Sequence, residues 1–226
     1  SVLEWDKYWV GHEKTLFGEG SRIYRKYILS FYVKKILGLY FKQKGFFMDC
    51  GSGSSESSMR LIPFEKKYIA FDVSKYAVRK ACNRFSNLKG VVGDIYKLPY
   101  KDESISGIYN LGVMEHFLQE DIVAILNEFY RVMIPGSCIV LFWPYRFSPF
   151  NMVMDSITFL MTRICRVKFW YTPDEFTRLT SKKHAKSIMD KTSFSIETIH
   201  FSIGDLFSHY VVVAKKVGKP IETEAS

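Results

Sequence analysis

Cysteine is scarce: Cys50, Cys82, Cys138 and Cys165 are scattered, and no two stand at metal-ligand or redox spacing. A disulfide framework is therefore not expected, and a reduced, cytoplasmic setting is. The remaining histidines outside one motif, His12, His184, His200 and His209, are too dispersed to suggest a metal site. No stretch of about 18 uncharged apolar residues occurs, because the richest run, residues 147–164, is cut by Asp155 and Arg163. A membrane-spanning segment is not expected. No positive-then-apolar leader follows Ser1, so no secretory signal is expected in this stretch. Repeats and low-complexity tracts are also lacking, the serine cluster at residues 52–58 being too short to count. With 47% hydrophobic and 24% charged residues, the 226-residue chain lies outside the disordered and fibrous classes.

Charge is present in excess of one sign, and its placement is uneven. Residues 1–45 carry nine Lys/Arg against four Asp/Glu, residues 46–144 eleven against eleven, and residues 145–200 nine against five. The formal net charge of +9 thus comes from two flanks of a neutral middle. Basic flanks suit contact with something anionic, whereas solubility alone would also account for them.

The apolar pattern alternates between strand and helix. Residues 22–40 approximate helical spacing, and residues 46–48 form a short apolar run ending in Asp49 and a glycine- and serine-rich turn, which reads as strand, glycine loop, helix. Tyr68-Ile69-Ala70-Phe71 predicts a second buried strand ending in Asp72, with Ser74 as N-cap of a helix through Phe85. Val91-Val92 ends in Gly93-Asp94. Residues 105–109 predict a strand, residues 121–133 an amphipathic helix stopped by Pro135-Gly136, and residues 138–142 a central strand covered on both faces. Two final strands, residues 195–202 and 209–213, read as a hairpin through a short turn containing Gly204. The expected fold is α/β, a doubly wound Rossmann-like sheet, mostly parallel with an antiparallel C-terminal hairpin strand.

Asp49-Cys50-Gly51-Ser52-Gly53 lies between strand and helix, where missing side chains let backbone approach a ligand. Glu56 occupies the third position of G-x-G-x-x-G, where a dinucleotide fold wants glycine or alanine, and no Lys-Ser/Thr pair follows as a P-loop requires. What remains is a glycine turn preceded by an acid, and acids at the next two strand ends. Each acid alone would be read as a turn or cap residue. Together, at strand ends beyond a glycine loop, they favour cofactor contacts.

That constellation resembles the class I S-adenosylmethionine-dependent methyltransferases, specifically the type 11 methyltransferase domain family. Leu98-Pro99-Tyr100, the block from Asn110 through Gly112 to Glu115-His116-Phe117, and Arg131 through Pro135-Gly136-Ser137 look like the family's remaining blocks in order. The resemblance implies S-adenosyl-L-methionine as cofactor, a seven-stranded sheet, no metal, and cofactor contacts from Asp49, Gly51, Gly53, Asp72, Val73, Asp94, Ile95, Asn110 and Leu111. Asp72 would take both ribose hydroxyls and Asp94 the adenine amino group, with Ile95 against the ring. Each carboxylate suits a neutral donor of that kind.

His116, at the mouth after strand four, is the candidate acid/base; the alternative is that Glu115 and His116 merely start the next helix. Absence of Asn-Pro-Pro-Tyr after strand four disfavours nucleobase or glutamine nitrogen as the methylated atom. The expected organisation is a helical N-terminal extension or cover over residues 1–45, a methyltransferase domain over 46–216 with an insertion at about 145–172, and a flexible tail at 217–226. That insertion, rich in Phe147, Phe150, Met152, Phe159, Phe169 and Trp170 and flanked by Arg146, Arg163, Arg166 and Lys168, reads either as a helix packed on the core or, with Trp5, Tyr8 and Trp9, as a cover touching a lipid or anionic membrane surface. The expected acceptor is a small molecule, a lipid-linked intermediate or a glycan. Transfer to RNA or protein and a non-catalytic cofactor-binding module are the alternatives, and nucleic acid is disfavoured because no recognisable nucleic-acid module is present.

Overall fold

The computed structural model describes residues 2–12, 16–61, 67–86, 88–166, 173–201 and 203–217. Helices α1 (Val2–His12), α2 (Leu16–Tyr24) and α3 (Ser30–Tyr40), the last two joined by a π-helical turn over Arg25–Leu29, precede the sheet. Then follow β1 (Phe46–Cys50), β2 (Lys67–Asp72), α4 (Lys75–Arg84), β3 (Lys89–Val92), β4 (Ile105–Leu111), α5 (Gln119–Val132), β5 (Met133–Pro144), α6 (Pro149–Phe159), α7 (Lys182–Met189), β6 (Phe194–Phe201) and β7 (His209–Lys216). The seven strands lie in the order β3-β2-β1-β4-β5-β7-β6. Pairings among β1 to β5 are parallel, and β7 runs antiparallel between β5 and β6. The order reverses at β1 and β4, so a crevice opens beyond their carboxyl ends.

Strand β5 explains why its apolar run is unbroken. Ile139, Leu141 and Trp143 face one core with α5 and α7, while Val140 and Phe142 face the other with α3. In α5, Ile122, Ile125, Leu126, Phe129 and Val132 are buried at helical spacing, and Glu120 and Asp121 sit in its first turn, where the helix dipole favours negative charge. Ser74 caps α4 as expected, its side chain accepting from the Ala77 N–H.

Two expectations need correction. The chain after the glycine loop does not form a helix over residues 51–61; it proceeds by successive turns, with the Ser55 N–H on Ser52 O at 2.9 Å and the Leu61 N–H on Ser58 O at 2.8 Å. Serine hydroxyls there compete with the backbone, and Ser58 turns inward to Asp49. Pro135-Gly136 does not follow the end of α5 as a plain stop: both belong to β5, in a bulge where Met133 pairs with Ile105 and Cys138 next pairs with Gly107. Gly136 takes φ +78° within it. Lys168, Phe169 and Trp170, expected in the insertion, lie outside the described residues.

Arg131 shows why two distant sequence blocks occur together. Its guanidinium donates to Glu128, to Asp102 at 2.6 Å, and to the Tyr100 and Leu98 carbonyls at 3.0 and 3.2 Å, while Glu128 accepts from the Leu98 N–H at 2.7 Å. The end of α5 thus holds the loop that leaves β3. Arg131→Ala and Arg131→Lys should each lower stability by about 1–2 kcal/mol, since a lysine cannot serve two carbonyls and two carboxylates from a planar fork. Urea unfolding checks this, and a lysine variant as stable as the parent would contradict it.

Candidate active site

The crevice holds a cavity of about 640 Å³ between the strand ends and α1. Asp49, Gly51, Gly53, Asp72, Val73, Asp94, Ile95, Leu111 and His116 all line it. Asn110 does not. One residue earlier on β4, it is buried within the sheet, and neither its amide nitrogen nor its oxygen has a hydrogen-bond partner. A strand turns alternate side chains to opposite faces, so Asn110 and Leu111 cannot both face one space in the same way.

Two glycines are required by the fold as well as by any ligand. Gly51 has φ +80°, and a Cβ there would stand 2.4 Å from Val113. Gly53 has φ +49°, and its Cβ would stand 2.2 Å from the Trp9 ring. The loop is fastened to β2 by the Gly51 and Ser52 N–H groups on Phe71 O, at 2.8 and 3.1 Å.

Asp72 completes this fastening. One carboxylate oxygen accepts the Gly53 N–H and the other the Ser74 N–H, both at 2.8 Å. Burial raises its pKa, and these backbone donors oppose the rise. Asp94 is exposed and accepts the Tyr96 N–H at 3.0 Å. Asp49 is deeper: Ser58 Oγ donates to it, and Tyr109 reaches the same hydroxyl. Burial pushes the Asp49 carboxyl up to about 7, against the opposing hydrogen bonds.

His116 sits in a short 3₁₀ turn, Met114–His116, that precedes α5. Its Nδ1 lies 2.9 Å from the Asp174 carbonyl, which only accepts, so Nδ1 carries the proton and Nε2, 3.7 Å from Glu115 Oε1, is the acceptor. Burial lowers its pKa. Beside it, Glu115 is buried with Oε2 unpartnered, and burial followed by the nearby Glu175 charge holds its pKa well above the usual range. The turn is positioned by residues 173–179. Glu115 O accepts from the Phe176 and Thr177 N–H groups at 2.6 and 3.0 Å, and Trp143 donates to Thr177 O at 2.7 Å.

Helix α1 closes the space. Trp5 meets the His116 ring edge-on at 4.8 Å, Trp9 packs on Gly53, and Asp6 accepts from Ser74 Oγ at 2.5 Å. The N-terminal aromatics are thus brought to the same cavity as the glycine loop. Sequence reasoning missed Arg25 and undervalued Glu56. Arg25 lines the cavity with its guanidinium 5.5 Å from the Trp9 ring. Glu56, buried, lies 3.6 Å from Arg25 and 3.1 Å from Arg84, joining the N-terminal segment to the end of α4. An acid standing where related loops want glycine was the available signal for Glu56; Arg25 carried none. Among the described residues no His/Cys/Asp/Glu group could hold a metal ion.

Two outcomes follow from this geometry. Gly51→Ala should destabilise by about 1–3 kcal/mol, from a left-handed φ and the clash with Val113, and Val113→Ala should restore only the steric part. Thermal unfolding of the single and double variants separates the two. For Asp49, the folded state holds the proton more tightly than the unfolded chain does. Its contribution is therefore present at low pH and lost as pH rises from about 4 to about 7. Asp49→Asn should flatten the stability profile across that window, which urea titrations at several pH values would read.

Comparison with known proteins places this geometry. Residues 48–141 match the family model described as "Methyltransferase domain". No curated protein matches the chain. Among solved structures, a chain of the complex between the Haloferax volcanii Trm112 methyltransferase activator and a methyltransferase is similar at 15% identity and a TM-score of 0.69, covering 97% of this chain and 99% of that one. An S-adenosyl-L-methionine-dependent methyltransferase from Methanococcus maripaludis is similar at 16% identity and 0.65, covering 90% and 91%. Geranyl diphosphate C-methyltransferase from Streptomyces coelicolor, solved with Mg²⁺, geranyl diphosphate and S-adenosyl-L-homocysteine, is similar at 13% and 0.59, covering 82% and 77%. The domain match spans the glycine loop and all three strand-end acids, so residues 48–141 carry a methyltransferase domain.

Proposed function

We propose that the chain methylates a small-molecule, lipid-linked or glycan acceptor admitted beside His116. The observation that carries this reading is the convergence of the glycine loop, three strand-end acids and an oriented histidine on one cavity. S-adenosylmethionine supplies an electrophilic methyl group on sulfur. The loop backbone at Gly51 and Gly53, which lines the cavity, would border its amino-acid portion, with Asp49 nearby to favour an ammonium. Asp72, with Val73 beside it, keeps lone pairs for a ribose diol after accepting from Gly53 and Ser74, because each carboxylate oxygen has two. Asp94 and Ile95 would serve the adenine, and Leu111 would line the reacting end. His116 Nε2 accepts the proton of the acceptor's hydroxyl or amine, while Trp5 and Tyr8 exclude water and narrow the approach. In this reading residues 1–45 act as a cover, 46–216 as the transferase unit and 145–172 as an insertion on the acceptor side.

Asp72→Ala should weaken S-adenosylmethionine binding about 30-fold or more, on the order of 2 kcal/mol, and Asp72→Asn less, because an amide carbonyl still accepts. Calorimetry on folded variants measures this, and unchanged affinity in Asp72→Ala would remove the assignment. His116→Ala should lower turnover with cofactor affinity intact. Since burial lowers the histidine pKa, the parent's rate should rise with pH through a limb below about 6.5 and be level above it, and the variant should lack that limb. A limb that survives in His116→Ala would leave the histidine a positioning role.

A further inference from the structure

The chain beyond β5 leaves a large apolar surface near the carboxyl end of that strand, the end of the sheet that carries the cavity. Helix α6 and the π-helical turn Leu160–Ile164 that continues it expose Met152, Val153, Ile157, Phe159, Leu160 and Ile164, and of α6 only Asn151 and Met154 are buried. At about 100° per residue, Met152 and Phe159 stand on one side and Val153, Ile157 and Leu160 roughly a third of a turn further round. The apolar arc is thus wider than the single stripe with which a surface helix packs on a protein core. Phe147, just before α6, is 51% exposed.

A second segment reaches the same end of the sheet. His209, the first residue of β7, pairs with Pro144, the last of β5, so the connection between β6 and β7 emerges where α6 begins. The Tyr145 N–H on Ser208 O at 2.9 Å joins the two. At the tip of that connection Leu206 and Phe207 are both exposed, each with φ +58°, a left-handed backbone that bulky residues rarely adopt. Leu206 thus stands outward at a conformational cost, while Phe207, still exposed, rests against the Phe201 ring at 5.4 Å.

Charge and length choose among occupants. Arg146, Arg163 and Arg166 are exposed around this surface, and the acid within α6, Asp155, is held by Arg178 at 2.7 Å. The helical run of residues 149–164 is roughly 24 Å long at about 1.5 Å per residue, shorter than the hydrocarbon core of a bilayer at about 30 Å. No helix among the described residues is long and apolar enough to cross a membrane. A short helix apolar over a wide arc, with cations at its ends, suits lying in the interface of an anionic bilayer, acyl chains around it and headgroups at the arginines.

We propose that this surface, formed by residues 147–166 and the hairpin tip at Leu206 and Phe207, docks the protein on an anionic lipid bilayer. The docking would bring the cavity mouth to the membrane. Arg178, paired with Asp155 of α6, lies in the 173–179 segment whose backbone holds the Glu115-His116 turn. An acceptor carried in that bilayer would therefore enter beside His116, a step that rests on the methyl-transfer reading, whereas docking itself does not.

Sedimentation of the full chain with phosphatidylcholine vesicles, with and without phosphatidylglycerol, tests this surface. We expect pelleting with the anionic vesicles, weakened by added salt, and little with phosphatidylcholine alone. Arg163→Glu with Arg166→Glu should weaken it at least tenfold, and so should Phe159→Ser with Ile164→Ser, since these side chains are exposed and their loss leaves the core intact. Calorimetry with S-adenosylmethionine and a thermal melt on each variant show that the cavity and fold are retained, so failure of docking and failure of the cofactor reading are separately visible. No pelleting with either vesicle at low salt would overturn the proposal. So would equal, salt-independent pelleting with both, or a self-association that the apolar variants abolish in a chain that ignores vesicles.

Discussion

The Asp72 carboxylate is the tie on which the cavity's shape depends. It stands at the end of β2, takes the Gly53 N–H with one oxygen and the Ser74 N–H with the other, and so joins the glycine loop to the start of α4. A buried carboxylate is costly without donors, and here both donors are backbone groups that would otherwise be left unpaired where the chain turns. The same atom pair therefore holds the loop open and offers acceptors toward the cavity. Ser74 extends the tie: its backbone serves Asp72, while its side chain caps α4 and bonds Asp6 of α1.

Through Ser74 the N-terminal helix becomes part of the site. Trp9 fills the place that a side chain at Gly53 would occupy, Arg25 stands over Trp9, and Glu56 reaches both Arg25 and Arg84. Glu56 thus does the joining that a third glycine would do by letting a helix pack on its strand. The turns of residues 51–61 follow from the same choice, since Ser58 is drawn to the Asp49–Tyr109 cluster. The opposite wall is set by residues 173–179, which hold the Glu115-His116 turn by backbone bonds and orient the histidine through the Asp174 carbonyl.

Much of this molecule was legible as pattern. Alternating strands and helices, an apolar run for the central strand and the Ser74 cap are local signals, and local signals survive without tertiary knowledge. The glycine loop and the acids at three strand ends were legible because a parallel sheet gathers its strand ends, whatever the connections between them. Gly51 shows the limit of such reading: its need for a left-handed φ can be suspected from a turn, whereas its closeness to Val113, 62 residues away in the chain, cannot.

By itself, then, the sequence determined the succession of the seven strands, the doubly wound sheet and the set of acids that face one crevice, since periodicity and strand-end chemistry act over a few residues. Tertiary structure alone decided that Asn110 is sealed in the sheet while Leu111 reaches the cavity, that Arg25 and Trp9 come from the far end of the chain to close it, and that His116 is oriented by the Asp174 carbonyl. It also decided that α6, whose residues are as apolar as a core helix, stands outside the core. Each of these depends on which surfaces meet after the chain has folded, and hydrophobicity along a sequence records how greasy a segment is without recording what covers it.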